Sequence, residues 1–290
     1  IYQQVLPSVV CVQADHGGSY NVGSGVILTT DGYIVTNYHV IEECSALEVM
    51  LLTTQRVYDA ILIGYDEELD LAVLKVEAED LTPARLADSD RLQVGDQVYA
   101  IGNPMGYLYG TMTDGIISAL HVEVDVDGKS MNLIQTSAAL NSGNSGGALI
   151  NDRGQVVGIT VAKISGKEDD ALVEGLGLAI PISDARPFIN YILENGETCK
   201  PAIGITCSAA VMDGTAGVVI QSVEPDGPAM EAGLQKLDLI VAADGKTVDS
   251  IYSLKRAINE AGVGGTLSLT VLREGEQLEL TCGVVDSTWQ

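Results

Sequence analysis

The stretch Gly25-Val-Ile-Leu-Thr-Thr-Asp-Gly32-Tyr-Ile-Val35 has an echo in Gly147-Ala-Leu-Ile-Asn-Asp-Arg-Gly154-Gln-Val-Val157. Both run from a glycine through an apolar segment to a polar turn that closes on a second glycine, then return as an apolar segment. This is the grammar of a β-hairpin. Working outward, short strands are expected at Val9 to Gln13, Gly25 to Leu28, Tyr33 to Thr36, Ala60 to Ile63, Leu71 to Val76, Gln97 to Ile101, Gly115 to Leu120, Val156 to Val161 and Gly177 to Ile180. Many short strands at such spacing build a barrel or a sandwich. The repeated hairpin favours barrels, with two related β-halves carrying His39 and Ser145 beside equivalent hairpins.

The β-rich run ends at Pro181, and the next residues read as a helix. Ser183 is placed to cap it, Phe188, Ile189, Ile192 and Leu193 form one apolar stripe, and Gly196 suits the position just past its end. The domain boundary is expected there, giving domains 1–196 and 197–290. Beyond it the pattern becomes a smaller α/β mixture. Strands are expected at Ala202 to Thr206, Gly217 to Val223, Leu237 to Ala242, Leu267 to Arg273 and Gln277 to Gly283, and helices at Pro228 to Ala232 and Ser250 to Ala261. Glu274-Gly275 reads as a tight hairpin turn.

Composition narrows the function classes. The 290 residues are 46% apolar, too rich for disorder, and no window offers the 18 consecutive apolar residues of a membrane span. Forty acidic residues against 15 basic ones give a net charge of −25, which repels nucleic acid and anionic lipid surfaces alike. The five cysteines form no C-x-x-C pair, which argues against zinc, and their odd number leaves at least one thiol unpaired in a monomer. The first residue is Ile1 rather than Met, as expected of a processed product with a targeting segment upstream.

The chemistry is concentrated in Asn141-Ser-Gly143-Asn144-Ser145-Gly146-Gly147. Glycines here let the backbone turn sharply, so that main-chain N–H groups near Ser145 converge on one point as an oxyanion hole requires. By itself such a cluster is more often an ordinary turn. A serine hydroxyl needs a base within reach, and of the three histidines His39, in Thr36-Asn37-Tyr38-His39-Val40, directly follows the first hairpin. His16 and His121 read as solvated surface residues. The base needs an orienting acid, and Asp70 interrupts the apolar run Leu69-Asp70-Leu71-Ala72-Val73-Leu74 with a carboxylate that must be paired or placed at a strand end. Structural roles are open for His39 and Asp70 taken singly; their conjunction with Ser145 favours catalysis.

These segments, with Ile101-Gly102-Asn103-Pro104 and Gly177-Leu-Ala-Ile180-Pro181, resemble in order the motifs of the HtrA (Deg) family of trypsin-like serine endopeptidases. The resemblance covers nearly the whole chain. It implies a mainly β fold, a chymotrypsin-like double β-barrel followed by a smaller α/β PDZ domain. It also implies His39 as general base, Asp70 as its orienter, Ser145 as nucleophile, and Gly143, Asn144 and Ser145 as the oxyanion-hole segment, with the amides of Gly143 and Ser145 as its donors. Ala202-Ile203-Gly204-Ile205 resembles the carboxylate-binding loop of the PDZ domain, with Ile203, Gly204 and Ile205 at a peptide C-terminus. Ile251, Leu254 and Ile258 on the later helix are spaced either to line the peptide groove or to pack as core, and read first as core.

Some positions depart from the family pattern. Ala148 stands where Pro is usual, Ser137 where Asp is usual and Leu237 where Gly is usual. Leu140, Ala162, Lys163 and Ile164 are the expected walls of the primary specificity pocket, where Lys163 replaces a typically apolar residue, and a small or medium aliphatic residue is expected before the scissile bond.

The reading is therefore an ATP-independent serine endopeptidase that cleaves unfolded or damaged proteins through an acyl-enzyme, with no metal or organic cofactor. Its partners are unfolded polypeptides and peptide C-termini, with no nucleic acid. The resemblance further implies an extracytoplasmic location, anchoring by an upstream segment and a homotrimer. The alternatives are a catalytically inactive peptide-binding chaperone or scaffold, and a metal-dependent hydrolase built on the histidines and acids.

Overall fold

The structure is a computed structural model that describes residues 1–103, 110–126, 129–161, 177–212 and 214–287. It divides into two compact units, Ile1–Thr198 and Cys199–Gln290. The first unit opens with the short helix α1 (Tyr2–Val5) and a 3-10 turn, then builds six strands: β1 (Val9–Asp15), β2 (Tyr20–Ile27), β3 (Tyr33–Thr36), β4 (Ala46–Leu51), β5 (Val57–Asp66) and β6 (Leu71–Val76). One turn of helix, α2 (Tyr38–Ile41), follows β3. The strands close into a barrel in the order β1-β2-β3-β6-β5-β4. Six more, β7 (Gln97–Gly102), β8 (Thr111–Val126), β9 (Lys129–Thr136), β10 (Ala148–Asn151), β11 (Val156–Val161) and β12 (Gly177–Pro181), close a second barrel.

The apolar runs follow from having a core on each side of the strand. Along β6, Ala72, Leu74 and Val76 fill the first barrel, while the alternate Leu71 and Val73 join a core shared with the second. In the second barrel, Val98, Ala100, Ile117, Ile134, Leu149 and Val157 point inward, and Ile101, Ala148, Ile150 and Ile159 face the shared core. Helix α3 (Ile182–Asn195) lays Phe188, Ile189 and Ile192 onto that shared core. Its N-cap is Pro181 rather than the expected Ser183, whose hydroxyl instead accepts from the Ser89 N–H at 3.0 Å while the Ser183 N–H donates to Ser89 Oγ at 3.0 Å. Gly196 ends the helix with φ +74°.

Both barrels have the same strand order around the ring, since β7-β8-β9-β12-β11-β10 repeats β1-β2-β3-β6-β5-β4. The hairpin echo is nevertheless not that repeat. The first hairpin joins the second and third strands of its barrel, the other the fourth and fifth of its own. The two halves are real, and the expectation of equivalent hairpins is corrected: a glycine-bounded hairpin is a local solution usable at any corner.

The second unit pairs β13 (Pro201–Ala202) with a strand at its far end and builds a sheet from β14 (Ile205–Met212), β15 (Thr215–Val223), β16 (Leu239–Ala243), β17 (Lys246–Thr247), β18 (Thr266–Arg273) and β19 (Glu276–Gly283). The terminal partner of β13 is β20 (Val285–Asp286). Sheet order β14-β15-β16-β18-β19 leaves β14 at an edge. Helix α4 (Pro228–Glu231) follows β15, and α5 (Ile251–Ala261) starts from a Ser250 cap whose hydroxyl accepts from the Ser253 N–H. Leu254 and Ile258 pack into this unit's core, whereas Ile251 is exposed. Glu274 and Gly275 both take positive φ, +52° and +85°, as the tight turn between β18 and β19 requires. All five cysteines are free thiols. Among the described residues no helix is long and apolar enough to cross a membrane.

Candidate active site

Asp70 precedes β6 in a left-handed conformation, φ +52°, that an L-residue adopts only when its surroundings hold it there. Its carbonyl accepts from the Tyr38 N–H at 3.1 Å and from Asn37 Nδ2 at 3.0 Å. Asn37, fully buried, is also the N-cap residue of α2, so the start of that helix is tied to Asp70 by backbone and side chain. The carboxylate then reaches His39 twice. Oδ1 accepts from the His39 N–H at 2.9 Å, and Oδ2 lies 2.7 Å from Nδ1. A carboxylate facing Nδ1 favours the tautomer with its proton there, leaving Nε2 as the acceptor. Asp70 is 8% exposed, and this pairing is what makes its burial tolerable.

Tyr38 stacks on Tyr65 at 4.5 Å between ring centroids, closing one flank of α2. The Tyr38 phenol is pushed above its usual pKa, first by burial and then by Glu67, Tyr65, Glu42 and Glu43.

The Ser145 loop is seated directly against the segment that carries His39. A Cβ built on Gly23 would stand 2.7 Å from Val40 Cγ1 and 3.1 Å from the Ser145 carbonyl oxygen. One built on Gly146, φ +81°, would collide with the Ser24 carbonyl and Thr36 Oγ1 and stand 3.1 Å from the Asn37 nitrogen. Glycine at 23 and 146 is thus what lets the two barrels close on each other here. Ser145 is 6% exposed.

Two buried hydroxyls hold the loop from behind. Ser24 Oγ donates to the Gly143 carbonyl at 2.7 Å and accepts from the Asn103 N–H at 2.9 Å, while the Ser24 N–H donates to the Ser145 carbonyl at 2.8 Å. Thr160 Oγ1 donates to the Asn144 carbonyl at 2.5 Å, and the Gly147 N–H reaches the same oxygen at 2.9 Å. The Asn144 N–H donates to the Asn141 carbonyl at 3.0 Å. That donor is consumed by the loop's own turn, so Asn144 offers no main-chain donor to the expected oxyanion-hole segment. No described residue accepts from the Gly143 N–H. Ser24 and Thr160 were missed by sequence reasoning; the small-residue run Gly23-Ser24-Gly25, like the run around Ser145, was the available signal.

Of the expected pocket walls, Leu140 packs beside β12, where a Cβ on Gly177 would meet its Cδ1 at 3.1 Å. Ala162, Lys163 and Ile164 lie outside the described residues. Ser137 Oγ accepts from the Ile116 N–H at 3.0 Å, and Ala148 opens β10 opposite Ile101 and Ile159. In the second unit Gly204 turns with φ +76° between β13 and β14; the carbonyls of Ile203 and Gly204 accept from Ala229 and Glu224 N–H groups, and Ile205 begins the edge strand.

Comparison with known proteins fits this geometry. Residues 23–159 match the trypsin-like peptidase domain and residues 201–284 the PDZ domain. The chain is 40% identical over 290 residues to the serine protease Do-like HtrA of Lactococcus lactis subsp. cremoris, covering 92% of this chain and 71% of that protein. The chain belongs to the HtrA family of serine proteases. Among solved HtrA-type structures, the protease AlgW with a decapeptide matches at a TM-score of 0.74 and 31% identity, covering 98% of this chain and 97% of that one. The serine endoprotease from Yersinia pestis matches at 0.71 and 33%, covering 99% and 98%. A probable periplasmic serine endoprotease, DegP-like, of Chlamydia trachomatis is 38% identical over 271 residues, 89% of this chain. This HtrA-family chain spans 52% of that relative's length.

Proposed function

We propose that the chain is a serine endopeptidase in which Ser145 attacks the scissile carbonyl, His39 takes its proton and returns it to the leaving amine, and Asp70 holds the imidazole. The acyl-enzyme so formed is released by water that His39 activates in the same way. The Gly143 and Ser145 N–H groups stabilise the tetrahedral oxyanion. The observation that carries this reading is the two-point hold of Asp70 on His39 against the seat of the Ser145 loop.

Substrates in this reading are unfolded or damaged proteins, cleaved without ATP. The PDZ unit takes peptide C-termini at Ile203, Gly204 and Ile205, and the free edge of β14 accepts the peptide as an added strand. The AlgW structure with a decapeptide supports peptide capture by an architecture of this kind. Periplasmic naming of relatives supports an extracytoplasmic location, and we extend this to an anchoring upstream segment and a homotrimer.

A serine-directed fluorophosphonate tests the reading in the full chain. Labelling and casein turnover that both vanish in Ser145→Ala establish the enzyme. Absent labelling, with casein turnover unchanged in that variant, overturns it in favour of a binding scaffold or a contaminating hydrolase.

A further inference from the structure

We infer that Ser24, a residue of the first barrel with no contact to a reacting atom in the mechanism above, is a positioning residue for the oxyanion hole in the second. The inference deepens the protease reading and rests on it.

Because the peptide group is planar, the direction of each carbonyl fixes the direction of the N–H on the same plane. The plane joining Gly143 to Asn144 is held at both edges, its carbonyl by Ser24 Oγ at 2.7 Å and its N–H by the Asn141 carbonyl at 3.0 Å. The next plane, joining Asn144 to Ser145, is held through its carbonyl by Thr160 Oγ1 and the Gly147 N–H, which sends the Ser145 N–H the opposite way. With these planes fixed, the preceding plane, which carries the Gly143 N–H, turns only about the bonds at Ser142 and at Gly143. Gly143 sits at φ +94°, a region where glycine has no intrinsic preference to keep it. The Ser24 hydroxyl is therefore the tertiary contact that stops the glycine of the hole from rotating its own carbonyl.

Ser24 is suited to this by its own immobilisation. It is fully buried, and every polar atom it owns is used. Its N–H donates to the Ser145 carbonyl, its carbonyl accepts from Thr36 Oγ1 at 2.7 Å, and its hydroxyl accepts from the Asn103 N–H while donating to Gly143. Accepting from Asn103 orients the hydroxyl proton toward Gly143, because a backbone N–H can only donate. Gly102 leaves the space this arrangement needs: a Cβ there would lie 2.9 Å from Ser24 Oγ and 2.7 Å from Asn144 Oδ1. Three of these bonds cross from the first barrel to the second. The hole's geometry thus depends on how the barrels are docked, through one side chain.

The test compares Ser24→Ala, Ser24→Gly and Ser24→Thr in the full chain, with competent sites counted by end-point fluorophosphonate titration so that a misfolded fraction does not enter the rates. The probes are a peptide spanning a mapped casein cleavage site, its C-terminal aldehyde, whose adduct oxygen occupies the hole, and its carboxylate product, which forms no adduct. Removing the hydroxyl should lower kcat about 10- to 100-fold, as a small misplacement of a catalytic group does, and weaken aldehyde binding by the same factor. KM, product affinity and the pH profile set by His39 should stay as in the parent, and Ser24→Thr, which keeps the hydroxyl, should recover most of the rate. The inference is overturned if Ser24→Ala and Ser24→Gly keep kcat and aldehyde affinity within about twofold of the parent. It is equally overturned if KM, product affinity and pH profile move together with kcat, the signature of a merely structural collapse. Turnover that survives Ser145→Ala sinks the protease reading itself, whereas a dead Ser145→Ala beside a normal Ser24→Ala removes only the role of Ser24.

Discussion

Asp70 holds His39 at two points, its Oδ1 accepting from the backbone N–H at 2.9 Å and its Oδ2 facing Nδ1 at 2.7 Å. One carboxylate therefore sets both the position of α2 and the tautomer of the ring it carries. Asp70→Asn preserves shape but places an amide donor opposite a ring nitrogen that is then no longer drawn toward the N–H form. The expected result is a fall in kcat of about 10⁴-fold with little change in fold, measured by casein turnover beside circular dichroism.

Asn37 acts one step behind. Its Nδ2 donates to the Asp70 carbonyl at 3.0 Å in a fully buried site, opposing the tendency of Asp70 to leave its left-handed conformation. Asn37→Ala should cost about 1–3 kcal/mol of stability in the first unit, the usual penalty for a buried acceptor that loses a partner. It should also lower kcat by allowing the carboxylate to drift. Thermal denaturation and steady-state kinetics read the two effects separately, and a change in stability alone would show that the Tyr38 N–H is a sufficient hold on Asp70.

The architecture was legible where strands are apolar on both faces. β3, β6 and β11 occupy the segments expected of them, because each is a short, mainly apolar run bounded by turn residues. Strand β4 was not expected: in Ala-Leu-Glu-Val-Met-Leu only Leu47 and Val49 are buried, and Leu, Glu and Met also favour helix. β9 was not expected either, its Lys-Ser-Met-Asn opening being too polar to read as a strand. The helix cap moved from Ser183 to Pro181 because the serine found a tertiary partner in Ser89, a residue 94 positions away. The site shows the same division. Candidate residues are visible by type, but that Asp70 is left-handed, or that Ser24 reaches Gly143 across 119 residues, has no local signature. A serine between two glycines looks like a turn until the second barrel is laid against it.

Leu237 exemplifies a local conflict that tertiary structure overrides. It has φ +75° at the approach to β16, in the position where related sequences were expected to carry glycine, and its N–H donates to the Ile220 carbonyl. Holding a leucine there costs roughly 1–2 kcal/mol, partly offset in a glycine by greater chain entropy when unfolded. The side chain is 64% exposed, so its removal forfeits little packing. Leu237→Gly should therefore stabilise the second unit by about 0.5–1 kcal/mol. Native-state hydrogen exchange at β15 and β16 is the measurement, and slower exchange is the expected result.

The second unit should also carry a pH-dependent increment of stability at Glu260. Its Oε2 lies 2.6 Å from Lys246 Nζ and its Oε1 3.0 Å from Arg256 Nε, one turn earlier on α5. Burial pushes this carboxyl's pKa up, but the hydrogen bonds and charges of the two cations outweigh it and hold the pKa below the ordinary value of 4.5. A depressed acid binds its proton less readily when folded than when unfolded, so it stabilises the fold above the unfolded pKa and ceases to do so as pH falls through the folded one. Glu260→Gln should then be less stable than the parent at pH 7, by at most about 1 kcal/mol for a pair this open to solvent. The difference should persist down to about pH 5 and close below the ordinary carboxylate range, and added salt should narrow it at neutral pH. Hydrogen exchange along α5 across this pH range would measure it, and a gap that stayed constant into acid would mean that Glu260 contributes by packing rather than by charge.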